Sequence, residues 1–351
     1  MTTIYLIRHA EAEGNLYRIV QGHRDSTLTD RGWRQVRALE KRLDGVPIDA
    51  VYSSDLLRAR ATATAVSKPR GLTIQGVPDL REIRVGDWEE LTFGEIARRD
   101  PVMLENFGKH MERWHVPGAE SPRDVLDRAW RFLNRVAAEH DGQTIALVSH
   151  GYILRLLLSR IEGMTLEETG SVPHGDNTAV SLLEYENGAF RLIFRDDNSH
   201  LKTEAYLKQE TSKKRKNALE TGLWFRELPP DSPLYVELCA EAWRGFDLSD
   251  APACTTLAAY LGDNVAGLTQ FDPESGRVSI LYLREAFRRR GMGIQLVGQA
   301  VMATRKRGGT CVRVAAPPET APFFRAYGFT PDERPENGCP VWVKDIRFPE
   351  L

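Results

Sequence analysis

Residues 4–15 read IYLIRHAEAEGN, and this stretch decides the fold of the N-terminal half of the chain. The apolar run from Ile4 to Ile7 is typical of a buried strand that ends in Arg8 and His9. Open α/β sheets bind their ligands at the carboxyl ends of strands. An arginine can hold phosphate oxygens through its planar guanidinium, and a histidine nitrogen can act as a nucleophile. The stretch therefore predicts an enzyme that takes a phosphoryl group onto His9.

Length and composition favour two ordinary domains. The chain has 351 residues, of which 42% are hydrophobic, enough for a core in each half without disulfides or metal. The net charge of −2 predicts no nucleic-acid partner. No apolar stretch approaches the roughly 18 to 20 residues of a membrane span, and no signal-peptide pattern is present. The four cysteines form no metal-binding cluster, which is typical of a reduced, cytoplasmic protein.

The first 205 residues alternate strand-like and helix-like segments, which favours a mostly parallel sheet. The predicted elements are a helix over 30–43, a strand over 46–53, a helix over 121–139, a strand over 144–149, a helix from 152, and a hairpin of strands 180–185 and 190–195. Asn187 and Gly188 favour the tight turn of that hairpin.

Residues 206–221 are polar and carry the basic run 213–216, which is typical of a linker. The change in composition predicts few buried contacts between the two halves. A second unit is predicted over 222–351. Its expected strands are 224–228, 256–261, 265–271, 277–283, 311–315 and 340–346, and its expected helices are 233–243 and 293–305.

Six segments, in order, give the first half a specific resemblance. They are Arg8-His9, Asn15, residues 21–32, residues 53–63 with Arg58, residues 80–89 with Glu82, and residues 149–151 with His150. This order resembles the histidine phosphatase superfamily, whose fold is the phosphoglycerate-mutase-like one. The resemblance implies a three-layer α/β/α domain over residues 1–205 that needs no cofactor.

The resemblance also implies a role for each residue. His9 would be the nucleophile, and Arg8, Asn15, Arg58 and His150 would bind the phosphate. The second ring nitrogen of His9 must donate to a backbone carbonyl to fix the tautomer. Glu82 would protonate the leaving oxygen and later deprotonate water. Its competitors are Glu89 and Glu90, and Glu82 is favoured because its position matches the family.

The segment between Glu82 and His150 bears on the substrate. Its apolar residues either line a pocket for a nonpolar or aromatic leaving group or pack a helix onto the domain; they are Phe93, Phe107, Met111, Trp114 and Val116. The segment is short for a closing lid, so a phosphatase is favoured and a phosphoglycerate-mutase-like phosphomutase stays an alternative. The remaining histidines are expected at surface or structural positions, and His174 could reach the pocket rim; they are His23, His110, His115, His140, His174 and His200.

In the second half, residues 288–293 (RRRGMG) lie between a strand and a long helix. Amides of a glycine-containing turn at a helix N-terminus form an anion site. The order of segments, with a later Gly328-Phe329 pair, resembles the GNAT acetyltransferases, which implies a smaller α+β domain over 222–351. By that resemblance acetyl-CoA would contact the residues of this loop, namely Arg288, Arg289, Gly291, Met292, Gly293 and Ile294.

This half departs from the family at two places. Phe324 stands where the family often has a proton-donating tyrosine, and residues 317–320 (PPET) replace its usual asparagine. Two interpretations therefore stay open. One is a bifunctional enzyme whose partners are a small-molecule phosphomonoester, acetyl-CoA and an amine acceptor. The other is a phosphatase with a degenerate, acetyl-CoA-binding regulatory or dimerisation domain, and a homodimer is left open for either.

Overall fold

A computed structural model of the chain describes residues 1–207, 222–251 and 253–350. Within these residues the strands form two sheets, one of six strands and one of seven. Most of the predicted linker, including the basic run 213–216, lies outside the described residues. None of the described helices is both long and apolar enough to cross a bilayer.

The first sheet has the strand order β3-β2-β4-β1-β5-β6. Its strands are β1 (Thr2–Arg8), β2 (Ala50–Ser53), β3 (Ile74–Gly76), β4 (Thr144–Ser149), β5 (Val180–Glu186) and β6 (Ala189–Asp197). The four strands β1 to β4 are parallel, and the hairpin β5–β6 is antiparallel. Asn187 and Gly188 both have positive φ in its turn, as predicted from the sequence.

Helices cover both faces of this sheet. They are α1 (Glu13–Tyr17), α2 (Asp30–Arg42), α3 (Leu57–Ser67), α4 (Phe93–Arg99), α5 (Pro101–Lys109), α6 (Pro122–Glu139), α7 (Gly151–Ile161), α8 (Leu166–Thr169) and α9 (Glu204–Leu207). Along β1, Ile4 and Leu6 pack with α6 and α7, whereas Ile7 packs with α2 and α3. This alternation produces the three-layer α/β/α architecture.

The second sheet has the order β12-β13-β11-β10-β9-β8-β7. Its strands are β7 (Trp224–Glu227), β8 (Thr255–Leu261), β9 (Asn264–Asp272), β10 (Arg277–Leu283), β11 (Cys311–Ala315), β12 (Thr330–Pro331) and β13 (Val341–Asp345). The helices are α10 (Pro233–Glu241), α11 (Gly293–Lys306) and α12 (Ala321–Ala326). The parallel strands β10 and β11 pair only at Arg277 and Val278, so they diverge beyond that point.

The two halves share a buried core, so the expectation of few buried contacts between them is wrong. Leu16, Tyr17 and Ile19, at and beyond α1, belong to the same apolar cluster as α11 and β10 to β13. A second contact joins α4 to the start of the C-terminal half, where the Arg98 guanidinium lies 4.5 Å from the Trp224 ring. The composition of the linker carried no information about these surfaces.

Candidate active site

His9 follows the carboxyl end of β1, where the parallel strands β2 and β4 also end. Its side chain is only 3% exposed. Its Nδ1 lies 2.7 Å from the carbonyl oxygen of Ala10 and donates to it. This hydrogen bond fixes the tautomer expected from the sequence and leaves Nε2 with its lone pair free to attack.

His9 is held in the neutral form. Burial, together with the positive charges of Arg58 and Arg8, lowers the pKa of His9 well below its usual value. A neutral imidazole is the nucleophilic form, so these surroundings keep His9 reactive across the neutral pH range.

Arg58 lies in the first turn of α3 and is 1% exposed. Its Nη1 donates to the carbonyl oxygen of Arg24 at 2.9 Å, and its Nη2 donates to that of Gly22 at 2.9 Å. Burial lowers the pKa of Arg58 to about 10, opposed by the negative charge of Glu82. Arg58 therefore remains a cation at neutral pH.

His150 follows β4, and its ring centroid lies 5.1 Å from that of His9. Burial and the charge of Arg58 lower the pKa of His150 well below its usual value, so the ring is neutral. Its Nε2 lies 2.8 Å from the Ser54 hydroxyl, which also accepts from the Leu56 amide at 3.3 Å. The Ser54 oxygen keeps a second lone pair, so the hydroxyl can either donate to Nε2 or accept from it.

Three buried nitrogens in this region have no hydrogen-bond partner among the described residues: Arg8 Nε, Arg58 Nε and His150 Nδ1. The charges of Arg8 and Arg58 lower the pKa values of both His9 and His150, so these side chains lie close together. Buried polar groups in proteins are nearly always paired. Three unpaired nitrogens near His9, two of them on arginine cations, therefore fit an anionic ligand with several oxygens, as phosphate has.

Glu82 lies at the N-terminus of α7, beside His150. Its carboxylate accepts from the amides of Tyr152 at 3.2 Å and Ile153 at 3.3 Å. Its charge acts on both Arg8 and Arg58. The structure thus brings the expected acid to the same pocket as the four expected basic residues.

Asn15 lies in α1, six residues after His9. Its Oδ1 accepts from the backbone amide of Ala12 at 3.0 Å. That bond occupies Oδ1, and the family resemblance would assign the Nδ2 donor to a phosphate oxygen.

The apolar residues between Glu82 and His150 belong to the core, which supports packing over a leaving-group pocket. Met111 is fully buried, and Trp114 is 3% exposed. Phe107 stacks on Tyr152 with ring centroids 4.8 Å apart. His174 is exposed and hydrogen-bonds the backbone of Gly151, at the rim of the pocket as expected.

Two side chains hold the backbone of Glu82: Arg128, which the sequence reasoning missed, and His23, which was expected at a surface or structural position. Arg128 of α6 donates to the carbonyl oxygens of Arg81 at 2.8 Å and Glu82 at 3.0 Å, and His23 lies 2.8 Å from the same Glu82 oxygen. Both hold the main chain that carries the acid. Arg128 occurs among other charged residues of an amphipathic helix, so no sequence signal separated it from solvent-exposed arginines.

In the C-terminal half, α11 begins at Gly293 without a side-chain cap. Gly291, just before it, has φ of 73°, a conformation that favours glycine. Arg288 is exposed, and its Nε donates to the Leu283 carbonyl at 2.6 Å. Met292 is fully buried, so only its backbone could meet a ligand. The uncapped first turn, flanked by arginines, fits an anion such as a pyrophosphate.

Phe324 is 3% exposed and stacks on Trp342, with ring centroids 5.8 Å apart and planes 13° apart. The side chain at the position where GNAT acetyltransferases often have a tyrosine acid therefore points into the core. Tyr327 packs against Phe323 at 5.1 Å and does not replace it. The described residues contain no cluster of three or more His, Cys, Asp or Glu side chains that could share a metal ion.

Comparison with known proteins supports the family resemblance of each half of the chain. Residues 4–198 match the family model of the histidine phosphatase superfamily (branch 1), and residues 237–342 match that of the acetyltransferase (GNAT) domain. The adenosylcobalamin/alpha-ribazole phosphatase of Escherichia coli (strain K12) is 35% identical over 167 residues, 47% of this chain and 81% of that protein. The metal-independent phosphoserine phosphatase of Arabidopsis thaliana is 31% identical over 213 residues, 60% of this chain and 87% of that protein.

A solved structure gives the same assignment. YhfR of Bacillus stearothermophilus is 34% identical and superposes with a TM-score of 0.56, covering 57% of this chain and 100% of that one. The described sheet order and the residues around His9 lie within the matched region. The chain therefore belongs to the histidine phosphatase superfamily and carries a GNAT acetyltransferase domain at its C-terminus.

Proposed function

We propose that the protein is a bifunctional enzyme: a phosphomonoesterase that works through a phosphohistidine on His9, joined to an acetyl-CoA-dependent N-acetyltransferase. The main support for the phosphatase activity is a group of three buried nitrogens without hydrogen-bond partners among the described residues, one each on Arg8, Arg58 and His150. They lie near a neutral His9. The two relatives described above are named as phosphatases of small molecules, which supports a small phosphomonoester as the substrate class.

In the first half-reaction, Nε2 of His9 attacks phosphorus and the bond from phosphorus to the ester oxygen breaks. The guanidiniums of Arg8 and Arg58 stabilise the charge that develops on the equatorial oxygens. The protonated carboxyl of Glu82 gives its proton to the leaving oxygen, which departs as an alcohol. His9 now carries the phosphoryl group.

In the second half-reaction, the Glu82 carboxylate takes a proton from a water molecule as that water attacks phosphorus. The bond from phosphorus to His9 breaks, inorganic phosphate leaves, and both side chains return to their starting states. A phosphomutase would instead return the phosphoryl group to a substrate before water arrived. The phosphatase names of the two relatives described above favour hydrolysis.

The His9→Ala variant tests this activity. We expect phosphate release from 4-nitrophenyl phosphate to fall by several orders of magnitude, since loss of a nucleophile typically costs about 10⁴ to 10⁶ in rate. His115→Ala is the matched control, because His115 is an exposed histidine of the same domain. A His9→Ala variant that kept a tenth of the wild-type rate would rule out the phosphohistidine route.

For the second activity, the first-turn amides of α11 and the guanidinium of Arg288 would hold the pyrophosphate of acetyl-CoA. Acetyl-CoA would supply an activated acetyl group as its thioester. The buried Phe324 favours the second candidate, a domain that binds acetyl-CoA without fast transfer, because no phenol is available there to protonate the departing thiolate.

Binding of acetyl-CoA is tested by thermal unfolding of the full chain with millimolar acetyl-CoA. The wild type should show a rise in Tm, since a ligand that binds only the folded state stabilises it. Gly291→Glu should lose that rise, because a carboxylate would repel the pyrophosphate. Gly338→Glu is the control, as Gly338 is an exposed turn glycine with φ of 74° in the same domain.

No rise in Tm for the wild type would contradict acetyl-CoA binding. Release of free thiol from acetyl-CoA with a panel of amines then separates the two candidates. Amine-dependent release supports an N-acetyltransferase, whereas binding without release supports the regulatory or dimerisation domain.

A further inference from the structure

Helix α1 lies close to His9 in the chain and packs on the acetyltransferase domain. It starts four residues after His9 and carries Asn15, to which the family resemblance assigns a phosphate contact. Its other side faces α11, where Tyr17 is 1% exposed. A methyl group added at Gly298 of α11 would lie 2.6 Å from Cγ of Tyr17. Only a glycine at 298 allows this close approach of the two helices.

A buried ion pair locks the same two helices. Nη1 of Arg305, in the last turn of α11, lies 2.9 Å from Oε2 of Glu13, the first residue of α1. The two side chains are 15% and 5% exposed. A buried carboxylate without its partner is strongly unfavourable, so this pair fixes the position of α1.

Lys306, the next residue of α11, pairs with a carboxylate that also contacts Arg24. Nζ of Lys306 lies 2.7 Å from Oε2 of Glu90, whose other carboxylate oxygen pairs with the Arg24 guanidinium. The carbonyl of Arg24 in turn accepts from Arg58. The C-terminal turn of α11 thus contacts the helix that carries Asn15 directly, and it contacts the loop whose carbonyl oxygens accept from Arg58 through Glu90.

From these contacts we infer that α11 of the acetyltransferase domain is part of the framework of the phosphatase pocket. Arg305 and Gly298 are positioning residues for phosphate binding, and they act through α1 on Asn15. The inference rests on the proposed phosphatase activity and adds to it a dependence on the other domain. Neither helix would hold this arrangement alone, because α1 has only five residues.

Steady-state kinetics of full-length variants test the inference. Arg305→Met removes the charge but keeps an apolar side chain of similar length. We expect KM for 4-nitrophenyl phosphate and the inhibition constant of inorganic phosphate to rise together by about tenfold, the size expected for one hydrogen bond to a charged group. The kcat should fall by less than about threefold, because the described hydrogen bonds of His9 and Glu82 are made within the N-terminal half.

Arg307→Met is the matched control. Arg307 lies just beyond the same helix, is exposed, and pairs with Glu274 of its own domain. Its KM and inhibition constant should equal those of the wild type. Arg305→Lys keeps the charge and should recover most of the phosphate affinity.

A purely structural role of Arg305 would lower kcat through a smaller folded fraction and leave KM unchanged. That result would overturn the inference, as would wild-type constants in a folded Arg305→Met protein. If Arg305→Met does not fold, the same kinetic constants of Gly298→Ala test the inference. This variant keeps both charges of the ion pair and displaces only Tyr17. An inactive wild type would refute the proposed function instead, so the two failures are distinguishable.

Discussion

At the scale of residues, the pocket combines neutral histidines with permanent cations. His9 and His150 both have pKa values lowered by burial and by Arg58, while Arg58 itself stays charged. The unprotonated histidines avoid like-charge repulsion with the arginines, and the arginines keep their charge for an anion. One buried space therefore holds neutral imidazoles, which can act as nucleophiles, together with fixed positive charge, which can stabilise an anion.

The same lowered pKa values predict how stability depends on pH. A histidine that is neutral in the folded state and protonates near pH 6.5 when unfolded binds more protons in the unfolded state. The free energy of unfolding should therefore fall as the pH drops below about 6.5, and keep falling through the lower folded pKa. Each such histidine contributes about 1.4 kcal/mol per pH unit. Burial and Arg42 also lower the pKa of His200, to about 4.

Urea unfolding at pH 7, 6 and 5 in phosphate-free buffer measures this slope. Carboxylates with lowered pKa values, such as Glu120 at about 2, lose their contribution only in more acidic solution. The window between pH 6.5 and 5 thus isolates the histidines. An unfolding free energy that stays constant from pH 7 to 5 would contradict the neutral assignments.

The sequence predicted a set of candidate reacting residues, but not the contacts that orient them. A backbone acceptor for Nδ1 of His9 was required by the chemistry, and Ala10 provides it. The placement of Arg8, Asn15, Arg58, Glu82 and His150 around His9 agrees with the expectation. The tautomer of His150 depends on Ser54, whose hydroxyl had no distinguishing pattern within its motif. Long-range contacts of this kind cannot be predicted from a local sequence pattern.

At the scale of elements, hydrophobic periodicity and turn residues predicted the order of the main helices and strands, whereas their bounds depend on caps and tertiary contacts. Helix α6 begins at Pro122 because Ser121 accepts the amide of Asp124, and β4 and β11 have the predicted ends. The strand predicted over 46–53 is confined to Ala50–Ser53, because the amide of Val46 closes a turn onto Leu43.

The helix predicted over 233–243 ends instead at Glu241. Beyond it the chain turns back onto the second sheet, where the amide of Gly245 donates to Ser279 at 2.8 Å. The contact lies just past the point at which β10 and β11 stop pairing. A tertiary hydrogen bond of this kind overrides helical propensity and is invisible in the local pattern.

At the scale of the whole molecule, the apolar residues of α1 gave no sign that they serve two domains. Leu16, Tyr17 and Ile19 have the composition of an ordinary core segment, and only the structure shows that they pack on α11. The polar linker suggested separable halves for the same reason, since sequence patterns report burial but not the partner.

This interface predicts that an isolated fragment of residues 1–207 is less stable than the full chain. The fragment would expose Leu16, Tyr17 and Ile19 and leave Glu13 without Arg305. Exposing three such side chains should lower the free energy of unfolding by roughly 4 to 9 kcal/mol. Urea unfolding of fragment and full chain, with phosphate release as the second readout, measures the difference. Equal urea midpoints would show that the domains do not depend on each other.

The central claim is that His9 carries the phosphoryl group during turnover. Its most direct test is quenching of the full-length enzyme in alkaline denaturant during reaction with a phosphomonoester labelled at phosphorus, followed by denaturing separation and peptide mapping at alkaline pH. We expect a labelled protein whose label is stable in alkali and lost in acid, as for a phosphoramidate, and which maps to His9 and is absent from His9→Ala. Steady turnover by the wild type with no label on the protein, or with label on another residue, would contradict the account.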